Sequence, residues 1–363
     1  MSVLPPPVES RESPLPTPGR KRRSPVRKAL IGLLVCAATL ALVAGGGILY
    51  LEHRISSHIG RIDGVFTGLE QRPARPTSGP AAKAVNILLL GTDRRSTVAT
   101  TGSDAAAPAW LPGEQRSDTI MVVHIDGDRR GASVISIPRD SWVRVPGYGG
   151  AKINAAFSFE GPNLAVATVE SLTGLHIDHL AVVDWDGFKA LTDAVGGVDV
   201  IVPRTVTDSA RGITWTAGEH KLDGVQALAY VGQRYGLPGG DLDRVKRQQA
   251  FLRTLMQASL HQEMRKNPRM VYDFLDTVSQ HLSVDAGWTT KQMASLALSL
   301  RDLRSGDIHY LTVPVAGLGW VGDQSIVRLQ QGQDQRMWNA VRNDRIAAWL
   351  QHHPGYETPV IVN

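Results

Sequence analysis

Val85-Asn86-Ile87-Leu88-Leu89-Leu90-Gly91-Thr92-Asp93-Arg94-Arg95 is the stretch on which the fold turns. Its first six residues, apolar but for Asn86, read as a strand stopped by Gly91. The run lacks the apolar–polar alternation of a strand with one wet face. A second run at 119–125 and a third at 132–137, closed by Pro138, follow close behind. Strands of this kind belong to a sheet covered on both sides, so the sequence predicts an α/β fold in three layers, α/β/α. Further strands are expected at 180–183, 198–202, 308–313 and 325–329. Helices are expected at 164–172, 185–194, 225–231, 242–261 and 335–350, with one or two more between Pro268 and Leu303. Gly196 and Gly197 suit a left-handed end to the helix at 185–194.

Charge gathers where these elements end, which is where open α/β sheets build their sites. The first strand leaves through Asp93, Arg94 and Arg95, and the second is entered through Arg116, Ser117 and Asp118. The third leaves through Arg139 and Asp140. A fourth segment runs from Gln233 and Arg234 through a Gly/Pro loop to Asp241, Arg244, Arg247 and Gln248. Asp241, Arg244 and Gln248 stand at i, i+3 and i+7 on one helix face, which continues through Phe251, Leu252 and Leu255. A face that begins charged and ends apolar suits a ligand with an anionic head and a greasy body. Guanidinium forks grip phosphate oxygens bidentately, and aspartates supply the hard oxygens that magnesium prefers. Any one of these clusters also reads as a strand-end ion pair. Four separated segments repeating Arg with Asp point instead to a phosphate-ester or pyrophosphate site.

Outward from this core, composition excludes several classes. The chain has 363 residues, 42% apolar and 20% charged, which is ordinary globular material. Its net charge of +5 lies entirely in residues 1–28, where seven Lys/Arg face Glu9 and Glu12; the remainder holds 32 basic and 32 acidic residues. A nucleic-acid-binding body would carry a basic bias of its own, so no nucleic acid is expected as partner. The lone Cys36 rules out a disulfide framework. Residues 29–51 run without a charge; as a helix they would span roughly 34 Å against a hydrocarbon core of roughly 30 Å. Basic residues precede this span, which predicts a single-pass cell-membrane protein with a cytoplasmic N-terminus and an extracytoplasmic body. A cleaved signal peptide and a buried core helix are the other readings. The expected organisation is a disordered basic tail at 1–28, a transmembrane helix at 29–51, and a juxtamembrane segment and linker at 52–84. A catalytic domain at 85–350 and a C-terminal tail at 351–363 complete it.

Rossmann, P-loop and HExxH motifs are absent. His176 and His179 lack a third metal ligand, and Ser117 and Ser141 lack a nucleophile-elbow context. Trp142 and Tyr148 read either as stacking surfaces for a sugar acceptor or as ordinary packing.

Four motifs carry a family likeness: NILLLGTDRR (86–95), RSDTIMVVHID (116–126), SIPRDSWVRVPGYGGAKINAAFSFEGP (136–162) and GLPGGDLDRVKRQQ (236–249). In this order, behind a short basic tail and one span, they resemble the LytR-CpsA-Psr family of bacterial cell-wall enzymes. The resemblance implies a three-layer fold with a central mixed sheet and a hydrophobic pocket for a polyprenyl chain between sheet and helices. It implies a phosphotransferase that moves a glycopolymer from a polyprenyl-pyrophosphate carrier to peptidoglycan through a phosphodiester bond, with Mg2+ as cofactor. Carried over by motif, Asp93 and Asp118 hold magnesium, and Arg116 and Arg139 act on the reacting diphosphate with them. Arg234, Arg244 and Gln248 clamp the donor, Asp241 orients the arginines, and Lys152 adds a phosphate contact. One position departs: the family's pattern after the short helix has two arginines, and here Gly232 replaces the first. Either Arg94, Arg95 or Arg247 compensates, or activity is reduced, or the donor differs. A pyrophosphatase using the same residues with water, and a non-catalytic lipid-phosphate binder, are the alternatives to the transferase.

Overall fold

The chain's first strand of the sheet, β1 (Gly60–Ile62), lies well before the run that decides the fold. Then come β2 (Val85–Arg94), β3 (Gln115–Ile125) and β4 (Ala132–Ser136). A hairpin of β5 (Trp142–Val145) and β6 (Gly149–Lys152) leads into α1 (Ile153–Glu160) and α2 (Pro162–Thr173). β7 (His179–Asp184), α3 (Trp185–Ala194) and β8 (Val198–Val202) follow, then a small hairpin of β9 (Val206–Asp208) and β10 (Ile213–Trp215). β11 (Gly218–Leu222) precedes α4 (Gly224–Gly232) and the long α5 (Asp241–Leu260). The remainder is α6 (Pro268–Gln280), β12 (Leu282–Asp285), α7 (Thr290–Ser299), β13 (Ile308–Thr312), the hairpin β14 (Val315–Val321) and β15 (Gln324–Leu329), α8 (Gln333–Arg342) and α9 (Ile346–His352). This computed structural model describes residues 54–69, 71–94, 115–260 and 267–362; for residues 93, 94, 115, 116, 260 and 268 it describes the backbone alone. The expected tail and membrane span lie outside the described residues, among which no helix is long and apolar enough to cross a membrane.

Seven strands form one mixed sheet in the order β1-β12-β7-β2-β3-β4-β13. At its centre β2 pairs antiparallel with β3 and parallel with β7. The unbroken apolar run of β2 is explained by its two faces. Leu88 and Leu90 face one core together with Phe157 of α1, Val169 of α2 and Trp338 of α8. Ile87 faces the other side with Ile125, Val284 and Trp288, against Leu296 and Leu300 at α7. Further along that side Met121, Val134 and Tyr310 meet Leu252 and Met256 of α5. Helices therefore cover both faces, as the sequence predicts. A separate core joins β8, β11, α3, α4 and α5 around Val200, Trp215, Tyr230 and Phe251.

Several boundaries fall where local chemistry puts them. Helix α3 spans the predicted residues because Asp184 ends β7 and caps it, accepting from Gly187 N at 2.8 Å. The helix α4 starts on a capping box of Asp223 and Gln226. Pro162 sits in the first turn of α2, so this helix begins earlier than its apolar pattern suggests.

Other expectations are corrected. The helix expected at 335–350 is broken in two: Asp344 takes φ 56° between α8 and α9. Its carboxylate is claimed elsewhere, accepting from Gly127 N at 3.1 Å and meeting His124 Nε2 at 3.0 Å. The segment at 325–329 joins β14 in a hairpin outside the main sheet. The stretch 71–83, expected as a linker, is fastened to the domain. Arg72 Nη2 lies 2.7 Å from Glu170 Oε1 and Arg75 Nη2 lies 2.6 Å from Asp178 Oδ1.

Candidate functional site

The exit loop of β4 contributes to the lining of the site. Pro138 ends the extended run, and the loop is clamped from two sides. Ile153 N and Asn154 N donate to the carbonyls of Ser141 (2.9 Å) and Arg139 (3.2 Å), and Val327 N donates to Asp140 O at 2.9 Å. Arg139 therefore projects from a backbone held by both α1 and β15. It donates to Asp118 Oδ1, and its Nε stands 3.8 Å from Asp140 Oδ2 and 3.7 Å from Asp241 Oδ1. Burial alone would pull the Arg139 pKa down; Asp118, Asp241 and Asp140 outweigh it and hold the guanidinium above its ordinary value.

Asp118 reaches this position through an irregularity in the sheet. Gly91 pairs with Thr119 and Thr92 with Ser117, so Asp118 is the extra residue of a β-bulge, which turns it out of the regular alternation. The close approach at Gly91 is part of the device: a Cβ there would meet the Thr119 Cβ at 2.9 Å. Gly91→Ala is expected to cost about 1–3 kcal/mol of stability by overpacking. Turnover should fall with it, because the bulge that aims Asp118 must shift. Thermal melts and rates checked against Gly91→Ala/Thr119→Gly, which removes the clash, test this.

The first turns of α5 supply the part of the lining next to Arg139. Arg244 Nη2 is 2.8 Å from Asp241 Oδ1, and Arg244 is 4% exposed. Burial lowers the Arg244 pKa, Asp241 opposes this, and the positive charges of Arg139 and Arg234 lower it further. Arg139 Nε, Arg244 Nε and Asp241 Oδ2 are buried without a hydrogen-bond partner among the described residues, and Asp241 Oδ1 has ion-pair contacts alone. Polar atoms in that condition are costly unless a ligand completes them. An anion would satisfy the guanidinium donors and relieve Arg244 of its like-charged neighbours.

These groups line one cavity of about 1280 Å³. Asp118, Arg139, Lys152, Arg234, Asp241, Arg244 and Gln248 all face it, so seven of the nine sequence-predicted residues are brought together. Asp93 and Arg116 are described by backbone only; they pair with one another across the β2–β3 ladder, next to the bulge. Lys152 Nζ is 3.1 Å from Asp140 Oδ1. Among the described side chains on the cavity, five are cationic (Arg139, Lys152, Arg211, Arg234, Arg244) and three anionic (Asp118, Asp140, Asp241), a balance that favours an anionic ligand. As to magnesium, Asp118 presents a carboxylate to the cavity and Asp241 Oδ2 carries neither a hydrogen bond nor an ion pair among the described residues, oxygen donors of the hard kind that the ion takes.

The apolar wall is not the one the helix periodicity suggests. Phe251 and Leu255 of α5 pack into the second core and Leu252 against the sheet. The apolar lining comes instead from Trp142, Tyr148, Ala155, Phe159, Trp185 and Leu228. Trp142 is set by the β5–β6 register, opposite Lys152, with its ring against Gly150, where a Cβ would lie 3.0 Å from Nε1. Of the arginines considered as compensation for Gly232, Arg247 is turned away: it is fully buried over Tyr230 and donates to Gln233 Oε1 at 2.7 Å. Sequence reasoning missed Arg211, whose segment TDSARGITW signals only a turn, and Trp185, whose helix periodicity says nothing of a cavity.

The LytR_cpsA_psr family model matches residues 67–343. The chain is 32% identical over 310 residues to the cell wall biosynthesis protein LcpA of Corynebacterium glutamicum, covering 76% of this chain and 59% of that protein. It is 30% identical over 313 residues to the polyisoprenyl-teichoic acid–peptidoglycan teichoic acid transferase TagU of Enterococcus faecalis, covering 84% of this chain and 94% of that one. The chain thus spans little more than half of its corynebacterial relative and nearly all of the enterococcal one. Among solved structures, TagV of B. subtilis superposes with a TM-score of 0.57 at 25% identity, over 72% of this chain and 97% of that one. The motifs that converge on the cavity, the mixed sheet beneath them and a family match over most of the described residues agree: the chain belongs to the LytR_cpsA_psr family.

Proposed function

We propose that this protein transfers a glycopolymer from a polyprenyl-pyrophosphate carrier to peptidoglycan, forming a phosphodiester. The observation that carries the reading is one cavity whose described lining combines more cationic than anionic side chains with several aromatic ones. That arrangement matches a diphosphate joined to a lipid and a sugar. The names of the relatives, one of them a teichoic acid transferase, support the same reaction class.

Phosphoryl transfer asks mainly for positioning and charge neutralisation. Arg139 and Arg244 would bind the diphosphate oxygens, while Arg234, Lys152 and Gln248 would fix the donor's orientation. A hydroxyl of the acceptor attacks the sugar-side phosphorus, the bond to the polyprenyl phosphate breaks, and polyprenyl monophosphate leaves. The hydroxyl proton would pass to a carboxylate; Asp118, which lies at the cavity and accepts from Arg139, serves as that base only when it holds no metal. Asp118 and Asp93 would hold magnesium, which when bound neutralises diphosphate charge. The apolar span at 29–51 would keep the domain at the extracytoplasmic membrane face, where lipid carrier and wall meet.

The test uses the full-length protein in detergent with magnesium, a polyprenyl-pyrophosphate-linked oligosaccharide and a peptidoglycan fragment, with products resolved by mass. Glycan joined to peptidoglycan through a phosphodiester, with release of polyprenyl monophosphate, is expected. Sugar phosphate released to water would make the protein a pyrophosphatase. Donor bound without turnover would make it a lipid-phosphate binder.

A further inference from the structure

Arg211 enters the cavity from the turn between β9 and β10, a part of the chain far from the four charged segments. Its anchor is Asp208, 1% exposed, whose Oδ2 lies 2.8 Å from Arg211 Nη1. Asp208 is itself fixed, its Oδ1 accepting from Ala210 N at 3.0 Å. The same Nη1 lies 3.4 Å from the carbonyl oxygen of Gly232. A Cβ on Gly232 would stand 3.0 Å from Arg211 Nη2. The bare backbone at Gly232 is thus the ground over which this guanidinium extends, and both residues line the cavity. Arg211 remains 43% exposed, so part of the group faces the open cavity while Asp208 holds its other side. A carboxylate that fixes one edge of a guanidinium leaves the remaining donors aimed and ready for a second anion.

We propose that Arg211 is a further anion-binding residue of this site, contacting a phosphate oxygen of the donor, with Asp208 as its positioning residue. The proposal rests on the diphosphate reading given above. It means that a cation reaches the cavity above Gly232 from the β9–β10 turn rather than from α4.

Geranylgeranyl pyrophosphate is the probe, titrated against full-length protein in detergent by calorimetry, with each variant's fold checked by thermal melting. Arg211→Ala should weaken binding about 10- to 100-fold, the loss that follows removal of one charged hydrogen-bond donor. Arg211→Gln, which removes the charge while keeping an amide donor on a flexible side chain, should show most of that loss and serves if the alanine variant misfolds. Asp208→Asn should raise the donor KM while changing kcat little, the signature of lost positioning. Gly232→Arg placed in the Arg211→Ala background should restore part of the affinity, because it returns a guanidinium to the same space. Wild-type binding by Arg211→Ala and Arg211→Gln, while Arg139→Ala loses affinity, would overturn the role of Arg211 and leave the diphosphate site standing. Unchanged binding in all three would remove the diphosphate reading itself.

Discussion

Arg139→Ala is expected to lower turnover by about 10²–10³-fold, the usual consequence of deleting one preorganised donor to a developing charge. The size follows from its neighbours. Arg139 is the cation that Asp118, Asp140 and Asp241 share, and without it Asp118 loses its guanidinium hydrogen bond. Three carboxylates would then face a diphosphate across one cavity, with Lys152 and Arg244 left to offset Asp140 and Asp241. Arg139→Lys is expected to recover little, since an ammonium cannot reach two carboxylates and a phosphate in the plane of a fork. Single-turnover rates with the lipid-linked oligosaccharide, set beside thermal melts, check this. A rate within threefold of wild type would remove Arg139 from the chemistry.

Trp338→Ala should do the opposite: lower stability by about 3–5 kcal/mol while leaving turnover near wild type well below the melting temperature. Trp338 is fully buried on α8, in the core shared by β2, β3, α1 and α2. An indole deleted there leaves a cavity that helices on a covered sheet face cannot collapse to fill. For a domain of this size the melting temperature should drop by about 5–8 °C. Calorimetry and kcat measured on the same preparation separate the two effects. A collapse of kcat with unchanged melting would mean that α8 acts on the site through α1.

Much of this molecule is legible in its sequence because the physics concerned is local. Apolar runs without alternation made β2, β3 and β4 buried on both faces, and the paired glycines Gly196 and Gly197 bounded the end of α3. The polar face of α5 was equally readable, since helical spacing alone puts Asp241, Arg244 and Gln248 together, and all three reach the cavity. The chemistry of arginine and aspartate then limits what that cavity can hold.

Other features depend on contacts between residues far apart in sequence, and local pattern carries no record of them. The apolar half of α5 was taken by two cores, so the greasy wall had to come from Trp142, Phe159 and Leu228. A one-residue bulge aimed Asp118, and it exists because β2 and β3 meet in a register that neither strand specifies alone. The break at Asp344 follows from a buried His124 and the Gly127 amide that both need its carboxylate. Arg211 came to lie over Gly232 because Asp208, buried, holds it there. Sequence by itself determined the layers and the charged residue types, because periodicity, turn chemistry and side-chain identity belong to short segments. Only the tertiary structure decided which charges share a cavity and which apolar faces remain open, because burial and Coulomb energy depend on distances that folding alone sets.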